Sequence, residues 1–117
     1  MDESRPIFLQ IAERIENDII AGVLPEGSQV PSTNEFAAFL RINPATAGKG
    51  VNLLVDTGIL EKRRGIGMFV ADGARARLVA QRRERFREQY VAPLLAEAAK
   101  LGITPAELTR LITEEGR

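Results

Sequence analysis

A mainly α-helical chain with a small β-hairpin follows from three features of these 117 residues. Ser32 stands three positions before Glu35, ahead of apolar Phe36, Ala37, Phe39 and Leu40, which is the pattern of a capped amphipathic helix. Asn43-Pro44 then supplies a cap and a first helical residue for a second helix. Finally, Lys62-Arg63-Arg64-Gly65-Ile66-Gly67 separates two short apolar runs, 59–60 and 68–71, as a glycine hairpin does. Helix, tight turn, helix and basic hairpin is the order of a winged helix-turn-helix. A two-helix C-terminal element follows it.

Each element has a local cause. Ile7, Phe8, Ile11, Ile15 and Ile19 recur at steps of three and four, so residues 6–21 should form a first helix whose stripe is core, ended by Gly22. Pro25 to Ser28 make a turn, and Gln29-Val30 adds a short strand to the hairpin sheet. The next helix begins at Thr33 and its pattern stops at Arg41-Ile42. The one after it runs from Pro44 to about Thr57, with Gly58 beyond its end. There Ala47, Val51, Leu54 and Val55 share one side, while Ala45, Thr46, Lys49, Asn52 and Asp56 share another, the candidate reading face. Small residues at its start allow close approach to phosphates and base edges. Gly48 and Gly50 cost that helix roughly 1 kcal/mol each relative to alanine. Close packing against DNA or a neighbouring helix is the expected reason.

Net charge is zero, but its distribution is uneven. Residues 1–73 carry seven cations against ten acids, and five of those cations fall between Arg41 and Arg64. An acidic back and a basic front orient a domain on DNA with modest nonspecific affinity. The absence of cysteine and histidine from the sequence rules out disulfides, thiolate metal sites and histidine acid/base chemistry, so an enzyme, a metal and a cofactor are all unexpected. No apolar run approaches the roughly 18 residues that span a membrane. The acidic start, MDESRPIF, lacks the apolar core of a signal peptide, so a cytoplasmic protein is expected.

The segments PIFLQIAERI, VPSTNEFA, INPATAGKG and LLVDTGILEKRRGIGMFV resemble the DNA-binding domain of the GntR family of bacterial transcription regulators. The short tail resembles that of the YtrA-like subfamily. This resemblance implies double-stranded DNA as partner, with contacts from Ser32, Thr33, Asn34, Asn43, Ala45, Thr46, Lys49, Arg63, Arg64 and Gly65. Asn34 stands where many members carry arginine, so a salt bridge there does not carry over. Arg5 is a further candidate for the DNA backbone.

Residues 73–117 form the tail, hinged at Asp72-Gly73 after a head of residues 1–72. Arg75, Arg77, Arg82, Arg83, Arg85 and Arg87 read as a solvated helical face, with flanking phosphates as the competing reading. Pro93 should kink or break the helix near residues 89–93. Gly102 ends it, and Thr104-Pro105 with Glu107 opens a last helix. Leu78, Phe86, Tyr90, Leu94, Leu95, Leu101, Leu108, Leu111 and Ile112 form apolar stripes too long for so small a domain to cover. A second copy of the chain is the expected cover, giving a homodimer on an inverted repeat and, by occlusion of a promoter, a repressor. An architectural DNA-binding protein and a winged-helix protein-interaction module are the alternatives. A small-molecule effector would have to lie among the tail helices, near Tyr90.

Overall fold

The computed structural model describes residues 4–117, and Asp2 and Glu3, counted in the charge balance, lie outside them. In chain order the elements are α1 (Ile7–Ile20), β1 (Gln29–Val30), α2 (Thr33–Leu40), α3 (Pro44–Asp56), β2 (Leu60–Arg63), β3 (Gly67–Val70), α4 (Ala74–Phe86), a π-helical turn (Arg87–Val91), α5 (Ala92–Lys100) and α6 (Pro105–Glu115). They make two compact units, Met1–Val79 and Ala80–Arg117. This division falls inside α4.

In the first unit, the three helices pack around Ile11, Ile15 and Ile19 of α1, Ala37 of α2, and Ala47, Val51 and Leu54 of α3. The strands close this core from one side in the antiparallel order β1-β3-β2, contributing Val30, Leu60 and Val70. The pairing Leu60↔Val70, Lys62↔Met68 puts one face inward, and Glu61↔Phe69, Arg63↔Gly67 puts the other outward. Lys62 and Arg63 therefore belong to β2, and the turn itself is only residues 64–66. Three members of the predicted stripes, Ile7, Phe8 and Phe39, also lie outside the core. Ile7 is exposed at the open end of α1, and Phe39 is 75% exposed because Phe36, Ala37 and Leu40 define the inward face of α2. The guanidinium of Arg14 lies 5.8 Å from the Phe39 ring.

The turn between α2 and α3 rests on Arg41, which is the positive-φ non-glycine residue of the described chain (φ 55°). Its left-handed conformation lets Ile42 N–H reach Ala37 O at 3.0 Å, closing the helix end. Ala74 and Leu78 of α4 complete the same core, with Leu78 1% exposed. Leu78 is thus unavailable to a second chain, which corrects its placement in the dimerisation stripe. Nothing local in the sequence separates it from the tail leucines; the head's open core edge does.

In the second unit, Pro93 does not break the helix, and the disturbance expected near residues 89–93 is a π-helical turn. Proline removes one N–H and its ring crowds the carbonyl four residues back. The backbone answers with a wider turn, in which Ala92 N–H donates to Arg87 O, five residues away. Gly102 (φ 69°) ends α5, and the Thr104 hydroxyl accepts from Glu107 N–H at 3.2 Å to start α6. Ala98 is the buried residue between α5 and α6. Around it Leu94, Leu101, Ile103, Leu108, Leu111 and Ile112 line an apolar groove of about 420 Å³.

Candidate nucleic-acid interface

Two helix starts and one turn carry the predicted contacts. At α2, Ser32 Oγ accepts from Glu35 N–H and Glu35 Oε1 accepts from Ser32 N–H, both at 3.1 Å, so the box predicted from sequence is complete. Asn34 is exposed in the first turn beyond it. At α3, Asn43 Oδ1 accepts from Ala45 N–H at 2.8 Å, which leaves the amide group of Asn43 to donate outward. Ala45, Lys49 and Asn52 are exposed and Thr46 is half-buried. A Cβ added to Gly48 would lie 3.5 Å from Thr33 Cγ2, which places the start of α2 beside the first turns of α3. Gly50 is the position where packing demands glycine, since a Cβ there would meet Phe8 O at 2.7 Å and Ile11 Cβ at 3.0 Å. The neighbour is α1, not DNA.

Lys49 is not a free-swinging charge. Its Nζ lies 4.1 Å from the centroid of the Phe8 ring, so an aromatic face holds the ammonium group above α1. Periodicity alone assigns Phe8 to the core stripe, and nothing local in the sequence marks it as a partner of Lys49, 41 positions later.

On the outer face of the sheet, the Arg63 guanidinium lies 4.1 Å from the Phe69 ring centroid and 3.6 Å from Glu61 Oε2. Ile66 N–H donates to Arg63 O at 2.9 Å, with Gly65 (φ 75°) in the third position of the turn, where positive φ is required. Gln29 Nε2 donates to Ile66 O at 3.1 Å and fills the place where a Cβ on Gly67 would stand. Arg64 and Gly65 are exposed at the tip. Of the three consecutive cations, Arg63 is therefore engaged on the wing's own surface, while Lys62, at the solvent-exposed end of the inner face, and Arg64, in the turn, are exposed. A capped two-helix unit with an exposed second helix and a cationic three-stranded wing is a DNA-reading geometry.

Residues 8–70 match the family model described as bacterial regulatory proteins, gntR family. The chain belongs to the GntR family. It is 30% identical over 111 residues to the HTH-type transcriptional repressor YtrA of Bacillus subtilis, a match covering 95% of this chain and 85% of that protein. A crystal structure of a transcriptional regulator from Oenococcus oeni superposes with a TM-score of 0.84 at 26% identity, covering 100% of this chain and 96% of that one. The DNA-binding domain of AraR, solved in complex with an operator, matches 55% of this chain and 77% of that one, at 30% identity and a TM-score of 0.53. No helix among the described residues is long and apolar enough to cross a membrane.

Two arginines of this GntR chain are neither merely solvated nor turned to phosphates. Arg77 donates to Thr57 O at 2.8 Å and Gly58 O at 3.2 Å, capping the C-terminal end of α3. Arg75 Nε donates to Ile20 O at 3.0 Å, doing the same for α1, while its own N–H takes Glu26 Oε1 at 3.3 Å. Cations at helix C-termini meet the negative end of the backbone dipole. These bonds span 19 to 55 residues, beyond the reach of any local signal. Arg5 is paired with Glu13 at 2.6 Å, on α1's own surface. In the tail, Phe86, Tyr90, Leu94, Leu95, Leu101, Leu111 and Ile112 are exposed and Leu108 is half-buried. The rings of Phe86 and Tyr90 lie 5.7 Å apart at 41°.

Proposed function

We propose that this chain is a transcriptional repressor that occupies an inverted-repeat operator as a homodimer. In this reading α3 lies in the major groove, with Thr46 and Lys49 at base edges and Asn34, Asn43 and Arg64 on phosphates. The observation that carries it is the reading face of α3, solvent-facing and free of large apolar side chains, with its one cation positioned by Phe8. A protein-docking winged helix would present apolar surface there instead.

The tail supports the dimer. Eight of the nine stripe residues, all but Leu78, are exposed or half-buried in the single chain, and Leu94, Leu101, Leu108, Leu111 and Ile112 among them border a largely apolar groove. A matching surface on a second copy would remove both stripes from water. Two heads related by a twofold axis would then meet half-sites about 34 Å apart on straight DNA. Occlusion of a promoter by such a dimer is repression without further machinery.

The test is selection of bound fragments from random DNA at near-physiological salt, followed by sequencing. An inverted repeat of fixed spacing is the expected result, and fragments sharing no motif would overturn the reading.

A further inference from the structure

We infer that Ile66 is a minor-groove reading residue that makes the wing favour A·T over G·C base pairs, an inference that rests on the DNA-reading assignment above. Ile66 is a β-branched aliphatic residue that closes the wing turn directly after the tip residues Arg64 and Gly65, and it is 66% exposed. Turn apices ordinarily carry Gly, Asn, Asp or Ser, which bond their own backbone or tolerate positive φ. This isoleucine side chain is not part of the head's core.

Its backbone is nevertheless held on both sides. Ile66 N–H donates to Arg63 O at 2.9 Å, and Ile66 O accepts from Gln29 Nε2 at 3.1 Å. Glycines flank it at φ 75° and 141°, and the Gln29 side chain occupies the position a Cβ on Gly67 would need. The backbone that carries this exposed apolar residue is thus held in place, so ordering it on DNA costs little entropy.

The charge beside it selects the partner. Arg63 is held by Phe69 and Glu61, so the tip is an aliphatic group next to the exposed Arg64. A minor groove offers the complement, with phosphates along its rims and apolar deoxyribose walls between them. Its floor holds only acceptors at A·T pairs but gains the guanine N2 amine at G·C pairs. Isoleucine has no acceptor for that amine, so covering a G·C pair would strand a donor and crowd the side chain. Apolar side chains are used as minor-groove wedges in this way.

The experiment uses the full chain and the operator recovered by selection, with G·C pairs substituted beneath the wing and affinities measured across a salt series. The wild type should lose about tenfold on the substituted duplex, the scale of burying roughly half an isoleucine side chain. Ile66→Ser should bind the original operator about tenfold more weakly, discriminate the two duplexes by less than about twofold, and keep the wild-type salt slope. Ile66→Val should retain most of the discrimination. Arg64→Gln should keep the discrimination and flatten the log–log salt slope by about 0.9 for each phosphate it no longer neutralises. Ile66→Ser with wild-type discrimination would overturn the inference, as would a salt slope flattened like that of Arg64→Gln. A wild type that selects no motif would overturn the DNA-reading assignment itself, a failure seen before any variant is compared.

Discussion

Side chains at the head's helix starts spend one hydrogen-bonding atom on the backbone and keep another for what approaches from outside. Asn43 is the clearest case, its oxygen on Ala45 N–H and its amide left over. Lys49, by contrast, is held by an aromatic face rather than by an acceptor, so all three of its donors remain for a base or phosphate. Lys49→Ala should weaken operator binding by about 1–3 kcal/mol and relax preference at one position per half-site, which a panel of single-base operator variants would reveal. The two glycines of α3 separate in the same manner. Gly48→Ala gains helix propensity and places its Cβ at an ordinary van der Waals distance, so the head should become more stable by up to about 1 kcal/mol. Gly50→Ala gains the same propensity but drives a Cβ into the Phe8 carbonyl, and the head should lose about 1–3 kcal/mol. Denaturant midpoints for the two variants should move in opposite directions. From sequence the two glycines are indistinguishable, because only the passage of α1 beside one of them tells them apart.

Elements are legible in the sequence wherever their causes are local. The Ser32–Glu35 box, the Asn43-Pro44 start and Gly58 beyond α3 are all decided within four residues, and all stand where the sequence puts them. What closes elements against one another over a distance is not legible. Arg77 on the last carbonyls of α3 is such a closure. Arg77→Ala should lower the head's stability by about 1 kcal/mol, read from its thermal or denaturant transition, without altering the salt dependence of DNA binding. An arginine on phosphates would instead flatten that dependence. The π-helical turn is a subtler element-scale effect. Residues 86, 90, 94 and 98 recur every four positions, and in an α-helix each such step drifts by about 40° around the axis. A wide turn advances less around the axis per residue, which offsets such drift between Phe86 and Tyr90 on one side of it and Leu94 beyond it. Proline at 93 signals a disturbance in the sequence, but not that the disturbance keeps the stripe in phase.

At the scale of the whole molecule, two leucines one helical pattern apart should behave oppositely. Leu95→Glu places a charge on an exposed tail residue, and the expected outcome is a folded monomer with weakened operator affinity, measured by sedimentation and by titration at matched chain concentration. A Leu95→Glu dimer with full affinity would refute the tail's assignment. Leu78→Glu buries a charge in the head's core and should unfold the head instead, with loss of its cooperative transition. The tail's length is a further matter. A π turn is an α-helix carrying one surplus residue. Excising Gln89 together with Pro93→Ala should therefore leave a straight α-helix whose leucines still point where they do now. The same excision at Ala96, inside α5, would swing everything after it by about 100°. The two deletions should therefore part in self-association, the first keeping the apolar stripe in phase and the second losing it, as sedimentation of both variants would show.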